Sequence, residues 1–178
     1  MELIKLSTNL YQSDLIIQNK EAFIYECNYG HTKISNKLKT KDTTWSYKEY
    51  NIFSVMAGSV LFYNLFLEVS AIIKEYHNKQ EPLWMQSWLN FHNSNELLDW
   101  HNHEWPFHGF ISIDPKNTDT IFRDFEIKNE TGNIYIGEGG REHKVISHEE
   151  FNSPRITLGF DVTYGKKVHP EMFSLIQV

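Results

Sequence analysis

Leu83–His92 reads LWMQSWLNFH, and its alternation decides the fold. Trp84, Gln86, Trp88 and Asn90 share one side of an extended backbone, and Met85, Ser87, Leu89 and Phe91 share the other. Downstream the same period returns in FHGFISI, TDTIF, DFEIKN, GNIYIG (after the turn NETG), HKVIS and the long RITLGFDVTY. Turn residues separate these runs at intervals of about ten residues, the spacing of an all-β sandwich or barrel. No helical pattern lies between them, which excludes a parallel α/β sheet. The expected architecture is a mainly β jelly roll, two facing antiparallel sheets closing over a pocket.

Upstream of Pro82 the period is helical. Phe53, Met56, Val60, Leu65, Val69, Ile72, Ile73 and Tyr76 mark one helix over about residues 52–77 that buttresses an outer face. The window Val55–Ile73 approaches the length of a membrane span, but Asn64 and Glu68 lie inside it, and a central acid is costly in lipid. A buried amphipathic helix and no membrane partner are therefore expected. Nearer the N-terminus, ELIKL, LYQSDLII and AFIYEC read as short strands, and residues 28–50 as polar loop. The 178 residues suit one domain: N-terminal strands and helix over 1–82, a jelly-roll core over 83–163 and a C-terminal tail over 164–178.

Composition removes several function classes. A formal charge of −6 argues against nucleic acid as a partner, and the short NKLKTKD run reads as a solvated loop. Cys27 is the single cysteine, so a disulfide framework and a cysteine zinc site are excluded, and a reducing, cytoplasmic setting fits. The N-terminus lacks the basic start and apolar centre of a signal peptide.

The chemistry concentrates in DWHNHEWPFHGFISID, Asp99–Asp114. His101 and His103 stand one residue apart, so in extended backbone both imidazoles point to one side and can hold one ion. Such a pair also occurs as a proton-handling site or as a solvated loop without chemistry. His143 opens its own strand after the glycine-rich GEGG turn and is the third candidate ligand, completing a facial set with open positions. Arg155 begins RITLGFDVTY with Thr157 on its face. A guanidinium on a half-buried strand requires an anion, either a protein acid or a small dianion shared with the Thr157 hydroxyl.

The H-x-H pair, then GNIYIGEGGREHKVI, then RITLGFD twelve residues after the last histidine, resembles the iron(II) and 2-oxoglutarate-dependent oxygenases over residues 83–163. The W-x-N of Trp88–Asn90 ahead of the pair is similar to the small phage-type and prolyl-hydroxylase-like branch. This resemblance implies a double-stranded β-helix, Fe(II) on His101 and His143, and 2-oxoglutarate with its far carboxylate on Arg155 and Thr157. Asn90 and Tyr135 fall on strands that would line the pocket. The family's acid two residues after the first histidine is here His103, so either His103 ligates or Glu104 is recruited by a bulge. A small-molecule or peptide substrate would be hydroxylated. His108 would stand behind the ligands or be an ordinary strand residue. Trp84, Trp88, Trp100 and Trp105 would wall the substrate or pack the core.

GNIYIGEGGREH also resembles the second cupin motif, with Glu138 at its proline. The first cupin motif expects a glutamate where Phe107 and His108 stand. That resemblance implies a three-histidine metalloprotein, a dioxygenase or isomerase without 2-oxoglutarate. A non-catalytic jelly roll binding a ligand or partner is the third alternative. Oligomeric state has no signature in the sequence.

Overall fold

The computed structural model describes residues 2–38, 50–95, 97–165 and 174–178. Its elements, in chain order, are β1 (Leu3–Lys5), β2 (Leu10–Ser13), α1 (Asp14–Gln18), α2 (Lys20–Leu38), α3 (Ile52–Val55), α4 (Val60–His77), β3 (Leu83–His92), β4 (Phe107–Asp114), β5 (Thr118–Phe122), β6 (Glu126–Lys128), β7 (Asn133–Glu138), β8 (His143–Ser147), β9 (Arg155–Tyr164) and β10 (Ile176–Gln177). Every strand expected after Pro82 is present.

Two sheets result. The larger has the order β1-β2-β7-β4-β9-β3-β10 and the smaller β6-β5-β8. All strand pairs are antiparallel. His101 pairs with His143 as an isolated bridge on the free side of β8, which extends the smaller sheet toward the segment joining β3 to β4. The chain therefore passes back and forth between the sheets as it advances, and the fold is a jelly roll, a double-stranded β-helix with added helices.

The alternation sorts the larger sheet into two faces. Met85, Leu89, Ile111, Ile134, Leu158, Phe160 and Val162 join the apolar core shared with the helices. Trp88, Asn90, His108, Arg155 and Thr157 point the other way and line a cavity. Asn51 locks the helical layer to β3: its Oδ1 accepts from Phe53 N at 3.1 Å and from the Ser87 hydroxyl at 2.7 Å, and its Nδ2 donates to Met85 O at 2.8 Å.

The N-terminal third departs from expectation. AFIYEC is part of α2, not a strand. Phe23, Cys27, Gly30 and Ile34 are buried at helical spacing, and the six-residue window was too short to show that period. The polar loop expected from residue 28 is likewise helical through Leu38, while residues 39–49, with most of the NKLKTKD run, lie outside the described residues. LYQSDLII is a strand only to Ser13, whose side chain then caps α1 by accepting from Ile16 N at 3.4 Å. The single helix expected over 52–77 is two. The break at Met56–Ser59 ends α3, and Ser59 caps α4 by accepting from Phe62 N at 3.2 Å. Beyond Tyr164, β10 adds to the edge of the larger sheet, and residues 166–173 lie outside the described residues. Among the described residues no helix is long and apolar enough to cross a membrane.

Candidate metal centre and anion pocket

Two backbone segments carry the histidines into one place. His101 N donates to His143 O at 3.0 Å, and His143 N returns a bond to His101 O at 2.9 Å. His103 N donates to Gly139 O at 2.8 Å. A Cβ on Gly139 would stand 1.9 Å from Trp105 O, so only glycine lets the GEGG turn approach this closely. The result is a group in which His101, His103 and His143 offer ligand atoms all within 4.8 Å of one another.

Tautomers follow from the partners. His101 Nδ1 faces Asp99 O at 2.8 Å, and His143 Nδ1 faces Arg141 O at 3.1 Å. A carbonyl only accepts, so each Nδ1 carries the hydrogen and each Nε2 keeps its lone pair. This is the usual preparation of an imidazole for a metal. Burial holds the His101 imidazole below its ordinary pKa. Burial, reinforced by His108 and His101, pushes His143 down to about 2. Both rings are thus neutral at pH 7, the form that ligates. The donor set fits a first-row divalent ion: three borderline nitrogen donors, with positions open on the cavity side.

Two further residues belong to the cluster. His108 and Asp161 form a second potential ligand group with His103, all three buried. Asp161, wholly buried on β9, accepts from His108 Nδ1 at 2.9 Å and from His103 Nδ1 at 3.1 Å. The two imidazoles stack with centroids 3.5 Å apart and planes 11° apart. Burial alone would raise the Asp161 carboxyl, but the bonds from His103 and His108 outweigh it and hold the group below the usual range. Burial and the neighbouring His103 push His108 down to about 4. The sequence had marked His108 only as a residue behind the ligands or an ordinary strand position, and Asp161 not at all. Its signal was present: Arg155, Thr157, Gly159 and Asp161 recur at period two on the cavity face of β9.

Arg155 lies in the same cavity, which has an empty volume of about 550 Å³ including its open mouth. Its side chain crosses from the larger sheet to the smaller: Nε donates to Thr118 Oγ1 at 3.3 Å and Nη1 to Thr157 Oγ1 at 3.4 Å. Among the described residues no carboxylate lies within ion-pair distance of this guanidinium, although it is only 4% exposed. Burial lowers its pKa to about 10, which leaves it cationic at pH 7.

The remaining sequence candidates divide. Asn90 lines the cavity and donates to Thr157 Oγ1 at 3.3 Å. Tyr135 does not line it, and packs instead with Phe110, Phe122 and Ile127 in a separate apolar cluster. Glu104 is exposed and outside both ligand groups. Trp88 lines the cavity, seated flat on Gly159, where a Cβ would meet its ring at 2.4 Å. Trp84, Trp100 and Trp105 do not line it. Trp100 instead carries the Arg123 guanidinium 3.8 Å above its ring.

No protein-family model matches the sequence, and no curated protein matches it. Among solved structures the chain is similar to a cupin-2 domain-containing protein from Shewanella frigidimarina, at 24% identity and TM-score 0.34, over 43% of this chain and 69% of that one. It is similar to the non-heme alpha-ketoglutarate-dependent epimerase SnoN from nogalamycin biosynthesis, at 11% identity and TM-score 0.43, over 61% and 58%. It is also similar to IDO from Bacillus thuringiensis, at 10% identity and TM-score 0.44, over 64% of each chain. All three lie below a TM-score of 0.5, so the chemistry rests on the site itself. That site is a cluster of three imidazoles able to hold a metal, with a cationic pocket in the same cavity.

Proposed function

We propose that the protein is a non-haem iron(II), 2-oxoglutarate-dependent oxygenase that hydroxylates a small-molecule or peptide substrate. The observation that carries this is Arg155: a buried cation without a protein anion among the described residues, in the cavity that holds the three histidines. A buried charge left unpaired is expensive, so the cavity is built for an acid that arrives from outside. His101, His103 and His143 would hold the metal through Nε2. Bound iron with its 2-oxo acid supplies the oxidising chemistry that no side chain here carries. The chain's own residues bind and orient. Arg155 and the Thr157 hydroxyl hold the far carboxylate, Asn90 fixes Thr157, and Trp88 shields the metal end with an apolar face. A reducing cytoplasmic setting suits a ferrous centre and the buried Cys27 thiol.

His108 favours a second reading. It stands where the first cupin motif carries its glutamate, and Asp161 fixes its ring as it fixes that of His103. A three-histidine centre of that kind, with His108 and Asp161 beside it, suits a metalloenzyme that works without 2-oxoglutarate.

One titration separates them. Iron(II) is added anaerobically, followed by 2-oxoglutarate, and the weak visible charge-transfer band of the chelate is recorded. The band is expected with the parent protein and absent with Arg155→Ala, which should still bind iron. A parent protein that binds iron but gives no band overturns the oxygenase and leaves the cupin-type centre.

A further inference from the structure

We infer that Asn129 is a positioning residue that aims Arg155 at the second carboxylate of a dicarboxylic 2-oxo acid. This rests on the function proposed above and extends it to a residue outside the cavity.

Arg155 has five N–H donors, and among the described residues two are spent, on Thr118 and Thr157. Thr157 Oγ1 accepts from Arg155 and from Asn90, and among the described residues no acceptor takes its own hydrogen. Three N–H groups and one O–H are thus left for a ligand, against the four lone-pair sites of a carboxylate. The match holds only if the guanidinium keeps its present plane, and Thr118 sets that plane.

Thr118 is itself fully committed. Its hydrogen goes to Pro115 O at 2.7 Å, and its oxygen accepts from Arg155 Nε and from Asn129 Nδ2 at 3.1 Å. Asn129 Oδ1 accepts from the Thr120 hydroxyl at 3.0 Å, which turns that hydrogen away from the cavity that Thr120 lines. Asn129 N also donates to Thr118 O at 3.0 Å. Asn129 is 4% exposed, and Thr118 and Thr120 are each 1% exposed. The amide orientation is forced: Thr118 has no second hydrogen, so it must meet the donor end of Asn129. Aspartate at 129 has the same shape and no donor. It would turn Thr118 from Pro115 O or face it lone pair to lone pair, and would place a rival anion behind Arg155.

The test uses full-length protein loaded with Mn(II), titrated calorimetrically with 2-oxoglutarate and separately with pyruvate, a 2-oxo acid without the second carboxylate. Parent protein is expected to favour 2-oxoglutarate by about tenfold or more, as hydrogen bonds to a charged group warrant. Asn129→Asp should lose most of that preference while pyruvate and Mn(II) bind as before. Thr118→Val, which keeps the shape and removes the hydroxyl, should do the same, so the test survives if one variant fails to fold. Unchanged preference in a folded variant, with binding lost in Arg155→Ala, overturns the role of Asn129 alone. Failure of the parent protein to bind 2-oxoglutarate overturns the proposed function and this inference together.

Discussion

Strand β9 presents two faces that differ in everything except burial. Toward the helices stand Ile156, Leu158, Phe160 and Val162; toward the cavity stand Arg155, Thr157, Gly159 and Asp161. Leu158 and Asp161 are both 0% exposed. Burial therefore does not separate structure from function here. Completeness of partners does. The apolar face is closed by packing. On the polar face Asp161 is filled by two imidazole N–H groups, whereas Arg155 keeps donors that no described protein atom accepts.

The largest expected effect on metal binding breaks the filled part of that face. Asp161→Ala removes the acceptor of two buried N–H donors and releases both rings, so metal affinity should fall about 10–100-fold. Isothermal titration with Co(II) or Zn(II) measures this; an unchanged affinity means Asp161 does not set the imidazoles. On the apolar face Leu158→Ala should cost about 2–5 kcal/mol in unfolding free energy. Urea denaturation measures it, and metal affinity of the folded variant should hold.

Acid attacks the histidines from the unfolded side. His143 and His108 sit near about 2 and about 4 in the fold, against about 6.5 in the unfolded chain. Their contribution is complete above pH 6.5. As pH falls from there toward 4 the unfolded state takes protons that the folded state refuses, so stability drops by up to about 1.4 kcal/mol per pH unit for each ring. Denaturation midpoints of the metal-free protein at pH 7 and pH 5 should differ in that direction, and equal midpoints contradict the lowered pKa of His143 and His108. The smallest effect has the opposite sign. Arg155→Met removes a buried charge that has no counter-ion among the described residues, so ligand-free stability should stay level or rise by about 1 kcal/mol. A large loss of stability in that variant would mean the guanidinium is already compensated.

How much was legible follows from the same strand. The strands β3 to β9 were readable because period two persists for five or more residues in most of them, with turn residues between, whereas the two-residue β10 falls in what reads as a tail. His101, His103, His143, Arg155 and Thr157 stand out in the sequence as ligating, charged and hydroxyl side chains against that period, and the fold brings them to one cavity. Asp161 was missed although it shares it, since an acid near the end of a strand usually reaches water. Its burial depends on His103 and His108, which approach from other segments. Asn129 was invisible for a similar reason: its partners on β5 are joined to it only by the fold. α2 was misread because its buried positions are four and three residues apart, and a six-residue window contains only two of them.

The seat of Trp88 on Gly159 leaves its indole about 6 Å from the rings of His103 and His108. Among the described residues it is the one tryptophan that lines the cavity. A paramagnetic ion caught by those rings would lie within quenching range of that chromophore, so the molecule carries its own optical gauge of occupancy. Changing the other four tryptophans to phenylalanine would isolate the signal.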